Sequence, residues 1–439
     1  MSSGENLLID ELQNRYLGCD EPVLITQDSA LRPSDVLQLD QELYDSIEPG
    51  DVVALIGDFE AKSIRRMLTI LSKGCIYVPL TEDTKPQHEY FIQAAMVDVV
   101  VSGDGIERVR KERAVDQQLS VLRESGHAGL VLFSSGTTGQ PKAILHDFEV
   151  FLNRFRTPRP TLRTLNFLLF DHIGGVNTLL HTLFNRGTVI FPRSRRVGDI
   201  INDLKQFEVE LLPTTPTFLR MMLMSDFLES ETLPSLKVVT YGTERMDEPS
   251  LKRLCDMLPQ VDFRQTYGMS ELGIMRVKSV SRDSLWMHVG GEGIETRIEN
   301  EVLKIRAKNR MVGYLNAPSP FDDADWYDTK DLVEQREDGA IRIVGRTTEW
   351  INIGGEKVLP EVIETAALEH DEILHVKAYG AENPITGHHI ELSYQLKAGS
   401  SLTKLQLKKF LKSQLPKNFV PHKLIEDVVE INHRFKKAG

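Results

Sequence analysis

Short apolar runs that suit β-strands alternate with segments of helical length, and this alternation constrains the fold most strongly. DVVALIG (51–57) is followed by AKSIRRMLTILSKG (61–74), by CIYVPL (75–80) and, after a polar stretch, by VDVVVSG (97–103). Strands separated by helices build largely parallel sheets with helices packed against them, because a parallel connection needs a long crossover. The pattern therefore predicts an α/β protein with layered sheets.

After about residue 270 the pattern changes to short strands and turns, and the last part is a smaller α+β pattern. We predict helices around 358–370 and 402–416, with strands at 375–381 and 389–398 between them. The polar segment GRTTEW (345–350) separates this part from the preceding strands. We therefore expect two domains, residues 1–346 and residues 347–439.

Composition excludes several classes of protein. A formal net charge of -12 over 439 residues argues against a nucleic-acid-binding protein with a generally basic surface. Cys19, Cys75 and Cys255 are far apart and have no CxxC spacing, so neither a disulfide framework nor a cysteine zinc site is indicated. The N-terminus lacks the pattern of a signal peptide, and no run approaches the roughly 18 apolar residues of a membrane span. We expect a cytoplasmic protein with no nucleic-acid partner and no membrane span.

The segment FSSGTTGQPKAILH (133–146) predicts a phosphate-binding loop. The strand-like run GLVLF (129–133) leads into a cluster of small residues whose N–H groups and hydroxyls can converge on phosphate oxygens. Lys142 adds a positive charge that suits a polyphosphate. The segment is not a Walker A loop, because Pro141 and Ala143 occupy the places of its Gly and Ser/Thr. The candidate phosphate ligands are Ser134, Ser135, Gly136, Thr137, Thr138, Gly139 and Lys142.

SSGTTGQPKA resembles the phosphate loop of the adenylate-forming superfamily, which includes acyl-CoA synthetases, the adenylation domains of nonribosomal peptide synthetases, and luciferases. Further segments match in the family's order: LSKGCIYVPL (71–80), YGMSE (267–271), WYDTKDL (326–332) and GRTTEWINIGGEKVLPEVIE (345–364). The resemblance covers about residues 50–437. It implies an ATP- and AMP-binding ligase, with a large domain that binds ATP and the acid, and a small domain that rotates on a hinge.

The segment YGMSE combines a flat aromatic ring with a carboxylate, which suits a site for a purine and Mg²⁺. The resemblance implies that Tyr267 stacks on adenine, that Ser270 contacts the α-phosphate, and that Glu271 and Thr138 hold the metal. It places Asp331 on the ribose hydroxyls and Arg346 on the ribose or a phosphate. By position alone, it adds Gly242, Thr243, Glu244 and Gly268 to the nucleotide site.

LLFDHIGGVNTLLHTLF (168–184) is the candidate acid-binding segment. The resemblance places His172 near the acyl carboxylate, whereas on the residues alone this histidine is equally well a structural group. Asp171 has two interpretations: a partner for the ammonium group of an amino-acid substrate, or a helix N-cap. Because the pattern HIGG is closer to acyl-CoA ligases, we expect a carboxylic acid without an α-amine.

The end of the chain departs from the family. The adenylating lysine of the family follows a Pro-Arg-Thr-like segment and a Gly, but this chain ends INHRFKKAG, and we choose Lys437 over Lys436. Lys330 replaces the Gly that precedes the ribose-binding Asp, which a turn tolerates if the side chain points outward. Gly354 and Gly355, in INIGGEK, suit the close approach of a pantetheine arm or form a simple tight turn.

Three hypotheses follow. The first is a ligase that uses ATP and Mg²⁺ to convert a small carboxylic acid to an acyl-adenylate, with release of pyrophosphate, and then to a thioester on CoA or on the phosphopantetheine of an acyl carrier protein. The second is a stand-alone amino-acid-adenylating enzyme, for which Asp171 is the discriminating residue. The third is a nucleotide-binding protein with degenerate activity, suggested by the irregular C-terminal lysine segment. We expect a monomer or a homodimer.

Overall fold

The computed structural model of the chain describes residues 8–134, 140–225, 228, 233–353, 355–383, 387–397 and 399–427. The helices among them are α1 (Leu8–Arg15), α2 (Pro33–Val36), α3 (Gln41–Ser46), α4 (Ala61–Ser72), α5 (His88–Ala94), α6 (Gln117–Ser125), α7 (Phe148–Leu152), α8 (Ile173–Phe184), α9 (Val197–Gln206), α10 (Pro216–Leu223), α11 (Glu248–Met257), α12 (Pro360–Leu368) and α13 (Lys404–Gln414).

The strands are β1 (Leu24–Ile25), β2 (Ala30–Leu31), β3 (Val52–Ile56), β4 (Ile76–Leu80), β5 (Val99–Ser102), β6 (Gly105–Arg108), β7 (Gly129–Phe133), β8 (Ala143–Asp147), β9 (Arg163–Leu165), β10 (Thr188–Ile190), β11 (Leu211–Thr214), β12 (Val238–Tyr241), β13 (Asp262–Gln265), β14 (Gly268–Met269), β15 (Gly273–Ile274), β16 (Arg276–Ser279), β17 (Met287–Gly290), β18 (Ile294–Glu299), β19 (Val302–Ala307), β20 (Gly313–Tyr314), β21 (Tyr327–Gln335), β22 (Ile341–Arg346), β23 (Ile351–Ile353), β24 (Glu356–Val358), β25 (Ile373–Asn383), β26 (Gly387–Leu396) and β27 (Lys423–Glu426).

The predicted α/β alternation is confirmed. The run DVVALIG contains β3, the helical segment after it forms α4, and CIYVPL contains β4. The helix α4 forms because Ile64, Leu68 and Leu71 follow the i, i+4, i+7 spacing of one helix face, and all three are buried.

Two seven-stranded sheets form the larger part of the fold. The first has the order β13-β12-β11-β9-β10-β1-β2, and its neighbouring strands are parallel except β1 and β2. The second has the order β20-β8-β7-β4-β3-β5-β6, with a parallel centre from β7 to β5. One apolar core cluster includes Val189 of the first sheet and Val53 and Leu132 of the second. Parallel strands end at the same edge, so the loops after β9, β11, β12 and β13 lie along one side of the first sheet.

A six-stranded antiparallel sheet, β16-β17-β22-β21-β19-β18, follows the two larger sheets. The hairpin β14–β15 precedes it in the chain and pairs Gly268 with Ile274 and Met269 with Gly273, so its turn carries residues 270–272. Within the six-stranded sheet, Asp331 on β21 lies opposite Arg346 on β22. The pairing of Asp331 with Arg346 brings two family-like segments together, and Tyr267, just before the hairpin, reaches Asp331 with its hydroxyl.

The C-terminal region is a small α+β unit, as predicted. Its five-stranded sheet has the order β24-β23-β26-β25, with β27 paired to β26, and it packs with α12 and α13 around a hydrophobic cluster of its own. The helix α12 begins with Pro360 in its first turn, where a missing N–H costs nothing. In the part of the chain that the structure describes, no helix is long and apolar enough to cross a bilayer.

Candidate active site

The two ends of the predicted phosphate loop are joined by hydrogen bonds. The N–H of Ser134 donates to the carbonyl of Lys142 over 3.1 Å, and the N–H of Lys142 donates to the hydroxyl of Ser134 over 2.9 Å. These bonds close the loop between β7 and β8. Ser135, Gly136, Thr137, Thr138 and Gly139 lie outside the described residues. The side chain of Lys142 lies over the ring of Tyr314, with Nζ 4.8 Å from the ring centroid.

Glu271 lies in the turn of the hairpin β14–β15, and a tyrosine hydroxyl holds its carboxylate. Tyr314 donates to Oε1 over 2.7 Å, and Tyr327 lies close enough for the charge of Glu271 to raise its pKa. Burial raises the pKa values of both tyrosines well above the usual value, and the charge of Glu271 raises them further. Lys142 and Glu271 therefore meet at one residue, Tyr314: the cation lies over its ring and the carboxylate accepts from its hydroxyl.

The carboxylate of Glu271 fits the Mg²⁺ that the resemblance implies. Mg²⁺ prefers hard oxygen ligands and is usually held by one or two carboxylates together with substrate phosphates, not by a dedicated cage. The described residues contain no group of three or more His, Cys, Asp or Glu side chains arranged to hold a metal. The second expected ligand, Thr138, lies outside the described residues.

Tyr267, Asp331 and Arg346 form a second cluster. The hydroxyl of Tyr267 donates to Oδ2 of Asp331 over 2.6 Å, and Nε of Arg346 lies 3.0 Å from Oδ1. Arg346 also donates to the carbonyl of Thr329 over 2.9 Å. Asp331 is 9% exposed, and burial raises its pKa although Arg346 and Tyr267 both act to lower it. The sequence-predicted ribose residues are thus brought together, and each carboxylate oxygen keeps a lone pair for a hydroxyl.

The loop after β12 carries the residues assigned to the adenine site by position. Thr243 has a φ of +70°, a left-handed conformation that is uncommon for threonine. The carboxylate of Glu244 faces the start of α10, where it accepts hydrogen bonds from the hydroxyl of Thr217 (2.6 Å) and from its N–H (3.3 Å). These bonds give Glu244 a role in holding the loop against α10, and its assignment to the nucleotide remains a prediction, like those of Gly242, Thr243 and Gly268.

His172 is the N-cap of α8, and its Nδ1 accepts a hydrogen bond from the N–H of Gly174 over 3.0 Å. The capping interpretation of Asp171 is therefore wrong, because its neighbour fills that position. Asp171 is 5% exposed, and its charge is among the causes that raise the pKa of the fully buried Tyr77, after burial and the charge of Glu60. Capping orients the imidazole of His172, and its contact with the acid stays a prediction.

Four residues of the site were missed by sequence reasoning or left without a role. Tyr314 donates to Glu271, Tyr327 lies close to the same carboxylate, His146 contacts the carbonyl of Ser270 over 2.7 Å, and Arg154 donates to the carbonyl of Ile274 over 3.0 Å. Tyr314 lies in the apolar run MVGYL, which carries no polar signal. His146 ends the motif AILH, and its position four residues after Lys142 was the one available hint. Gly354 and the C-terminal Lys437 lie outside the described residues.

Comparison with known proteins gives low identity over most of the chain. Gramicidin S synthase 2 of Brevibacillus brevis is 21% identical over 430 residues, which cover 87% of this chain and 10% of that protein. The chain spans between 10% and 58% of the length of the first four curated relatives that it matches.

Solved structures show the same fold over nearly the whole chain. The anthranilate CoA ligase AuaEII, in complex with anthranoyl-AMP, matches with a TM-score of 0.82 and 17% identity, covering 98% of this chain and 95% of that one. The ATP-bound MatB from Rhodopseudomonas palustris matches with a TM-score of 0.78 and 18% identity, covering 98% of this chain and 97% of that one.

The sequence pattern of the family described as AMP-binding enzyme matches residues 36–305. Since that match covers more than half of the chain, the protein belongs to the AMP-binding enzyme family, within the adenylate-forming superfamily.

Proposed function

We propose that the protein is an AMP-forming acid–thiol ligase, which activates a small carboxylic acid with ATP and then forms a thioester on CoA or on a carrier-protein pantetheine. The observation that carries the proposal is the meeting of Lys142 and Glu271 at Tyr314, in a chain that belongs to the AMP-binding family. The fold shared with an anthranilate CoA ligase supports the thiol step.

In the first half-reaction a carboxylate oxygen of the acid attacks the α-phosphorus of ATP. The bond from that phosphorus to the bridging oxygen of pyrophosphate breaks, and pyrophosphate leaves with the electron pair. Such a displacement depends mainly on position and on neutralised charge. Lys142 supplies positive charge from the end of the phosphate loop, while the pair of Asp331 and Arg346 holds the ribose.

Glu271, with Thr138 as second ligand, is proposed to hold Mg²⁺, which when bound would neutralise phosphate charge. Tyr314 keeps the carboxylate of Glu271 in one orientation through its hydroxyl. A tyrosine hydroxyl is protonated at neutral pH, and burial raises the pKa of Tyr314 further, so this donor is retained.

In the second half-reaction the pantetheine sulfur attacks the carbonyl carbon of the acyl-adenylate. The bond from that carbon to the phosphate oxygen breaks, AMP leaves with the electron pair, and the thiol proton passes to solvent. We propose that residues 347–439 act as a small domain that turns on a hinge near Thr348 between the half-reactions, with Lys437 serving the first. The separate core cluster of residues 351–420 supports this division.

The proposed function is tested by pyrophosphate release from ATP and Mg²⁺ with a panel of fatty, aromatic, short-chain and amino acids, each with and without CoA. We expect release with one class of acid, with thioester formed only when CoA is present. A response to amino acids that is lost in Asp171→Asn would instead favour the amino-acid-adenylating enzyme. Absence of release with every acid, in a protein that still binds ATP, would contradict the ligase.

Two variants and a control connect that activity to the site. Lys142→Met and Glu271→Gln should each lower pyrophosphate release about 100-fold, since they remove charge from the reacting phosphates. Lys252→Met removes an exposed lysine of α11 and should leave the rate unchanged. Equal rates in all three variants would place the chemistry elsewhere.

A further inference from the structure

The hairpin β14–β15, which carries Glu271, is hydrogen-bonded to β8, the strand that follows the phosphate loop. We propose that His146 and Arg154 are positioning residues that fix the hairpin β14–β15, and with it Glu271, at a set distance from the phosphate loop. The inference deepens the proposed function and rests on it, because it concerns how the metal-binding carboxylate is held.

His146 provides the shortest connection. It lies on β8, four residues after Lys142, and its Nε2 is 2.7 Å from the carbonyl oxygen of Ser270, the residue before Glu271. A ring nitrogen that faces a carbonyl must donate its proton, so Nε2 carries the hydrogen. The side chain is 2% exposed, which protects this hydrogen bond from competition with water.

Backbone hydrogen bonds form a second connection between the hairpin and β8. The strand β20 pairs with β8, with Tyr314 opposite Ile144 and Gly313 opposite Leu145. The N–H of Met311, just before β20, donates to the carbonyl of Glu271 over 2.8 Å. The backbone of Glu271 is therefore linked to β8 through Met311, and its carboxylate is linked to β8 through Tyr314. His146 holds the preceding residue, Ser270.

Arg154 holds the other strand of the hairpin. It follows α7, and its Nη1 donates to the carbonyl of Ile274 over 3.0 Å. A Cβ added to Gly273 would lie 2.7 Å from Nη2 of Arg154, so the guanidinium lies directly on the hairpin backbone. Gly273 has a φ of +74°, which suits glycine, and its lack of a Cβ permits the close approach of Arg154. Within the part of the chain that the structure describes, the buried Nη2 of Arg154 has no hydrogen-bond partner.

The consequence concerns a metal bound jointly by Glu271 and by phosphates in the loop. Such a metal is bound tightly only if the carboxylate and the phosphates are the right distance apart, and outer groups that orient a ligand commonly affect metal affinity. Loss of the His146 hydrogen bond should therefore weaken the metal-dependent part of ATP binding, while contacts to the base and ribose stay intact.

The test compares ATP affinity with Mg²⁺ and with EDTA, by calorimetric titration of the full chain. We expect His146→Ala to reduce the affinity gain from Mg²⁺ about 10-fold, the scale found for groups that orient metal ligands, with metal-free ATP binding nearly unchanged. His146→Gln, whose amide can place a donor near the same position, should restore most of the gain. His127→Ala is the matched control, because His127 contacts Asp147 at the end of β8 over 2.8 Å and does not contact the hairpin.

An unchanged Mg²⁺ gain in His146→Ala, or an equal loss of ATP affinity with and without Mg²⁺, would overturn the proposal. If the alanine variant does not fold, His146→Asn, which is polar but too short to reach Ser270, is compared with His146→Gln. A parent protein whose ATP affinity does not respond to Mg²⁺ also overturns it. The proposed ligase activity can fail separately, since pyrophosphate release with the acid panel is a different measurement.

Discussion

At the scale of single residues, His146 links the stability of the fold to pH. Its pKa is lowered from 6.5 to about 4, chiefly by burial and in addition by the positive charge of Arg154, whereas the hydrogen bond with Ser270 acts to raise it. The imidazole is therefore neutral in the folded protein at neutral pH. In the unfolded chain it takes up a proton at a pH near its ordinary pKa.

The first prediction follows from that difference. Between the two pKa values the unfolded state binds more protons, so stability is fully present above the unfolded pKa and is lost as pH falls through the folded pKa. The loss amounts to about 3 kcal/mol for a shift of this size. His146→Gln should remove this part of the pH dependence, as measured by urea unfolding from about pH 7 to about pH 4. His127→Ala serves as the control, and an unchanged slope in the glutamine variant would contradict the prediction.

The sequence predicted which residue types form the site, but not all of their partners. Tyr267, Asp331 and Arg346 were identified from the resemblance, and the structure brings them together. Lys330 takes the place of a glycine and lies within β21, not in the turn expected from the sequence; it adopts a φ of +63°, and its exposed side chain pairs with Asp328 at 2.7 Å. Tyr314 could not be predicted, because its contact with Glu271 spans 43 residues and depends on strand pairing.

At the scale of elements, local pattern was sufficient for most strands and helices and insufficient for their arrangement. The periodicity of residues 61–74 predicts α4, because a buried helix face repeats every three or four residues. The pairing of β20 with β8 joins Tyr314 to Ile144, and no short-range pattern carries such a distant register. The site lies where such distant pairings meet.

The second prediction concerns the close contact between the loops after β12 and β13. A Cβ added to Gly242 would lie 2.1 Å from Oγ1 of Thr266 and 2.8 Å from its carbonyl oxygen. Thr266 cannot easily give way, because its N–H and hydroxyl both donate to the carbonyl of Tyr241, over 2.7 and 3.1 Å. Gly242→Ala should therefore destabilise the fold by about 1–3 kcal/mol and weaken ATP binding.

The control for Gly242→Ala is Gly290→Ala on β17, where an added Cβ meets nothing within 4 Å. Thermal unfolding and ATP titration of both variants give the comparison. Equal stability of the two variants would show that the loop after β12 adapts to the added methyl group, and that it does not depend on this close approach.

At the scale of the whole molecule, the C-terminal unit is docked on the larger part through charges of opposite sign. Arg245, next to the loop after β12, forms an ion pair with Glu361 on α12, and both side chains are largely buried. Burial lowers the pKa of Arg245 to about 10. A second pair joins Arg253 of α11 to Asp371, whose side chain is 87% exposed. Arg245 lies just before α11 and Asp371 just after α12, so both pairs join the region of α11 to the region of α12, but they differ in their exposure to water.

The last prediction uses that difference. Arg245→Glu places two like charges in a partly buried contact, which costs several kcal/mol, so the C-terminal unit should undock and trypsin should cleave the GRTTEW segment at Arg346 at least about 10-fold faster. Adding Glu361→Arg to that variant should restore the parent's rate, because the pair is rebuilt with its charges exchanged. Arg253→Glu should change the rate little, since an exposed ion pair contributes about 0–1 kcal/mol. Mass spectrometry of the fragments over time measures the rates, and equal cleavage of the Arg245 and Arg253 variants would show that the docking does not depend on the buried pair.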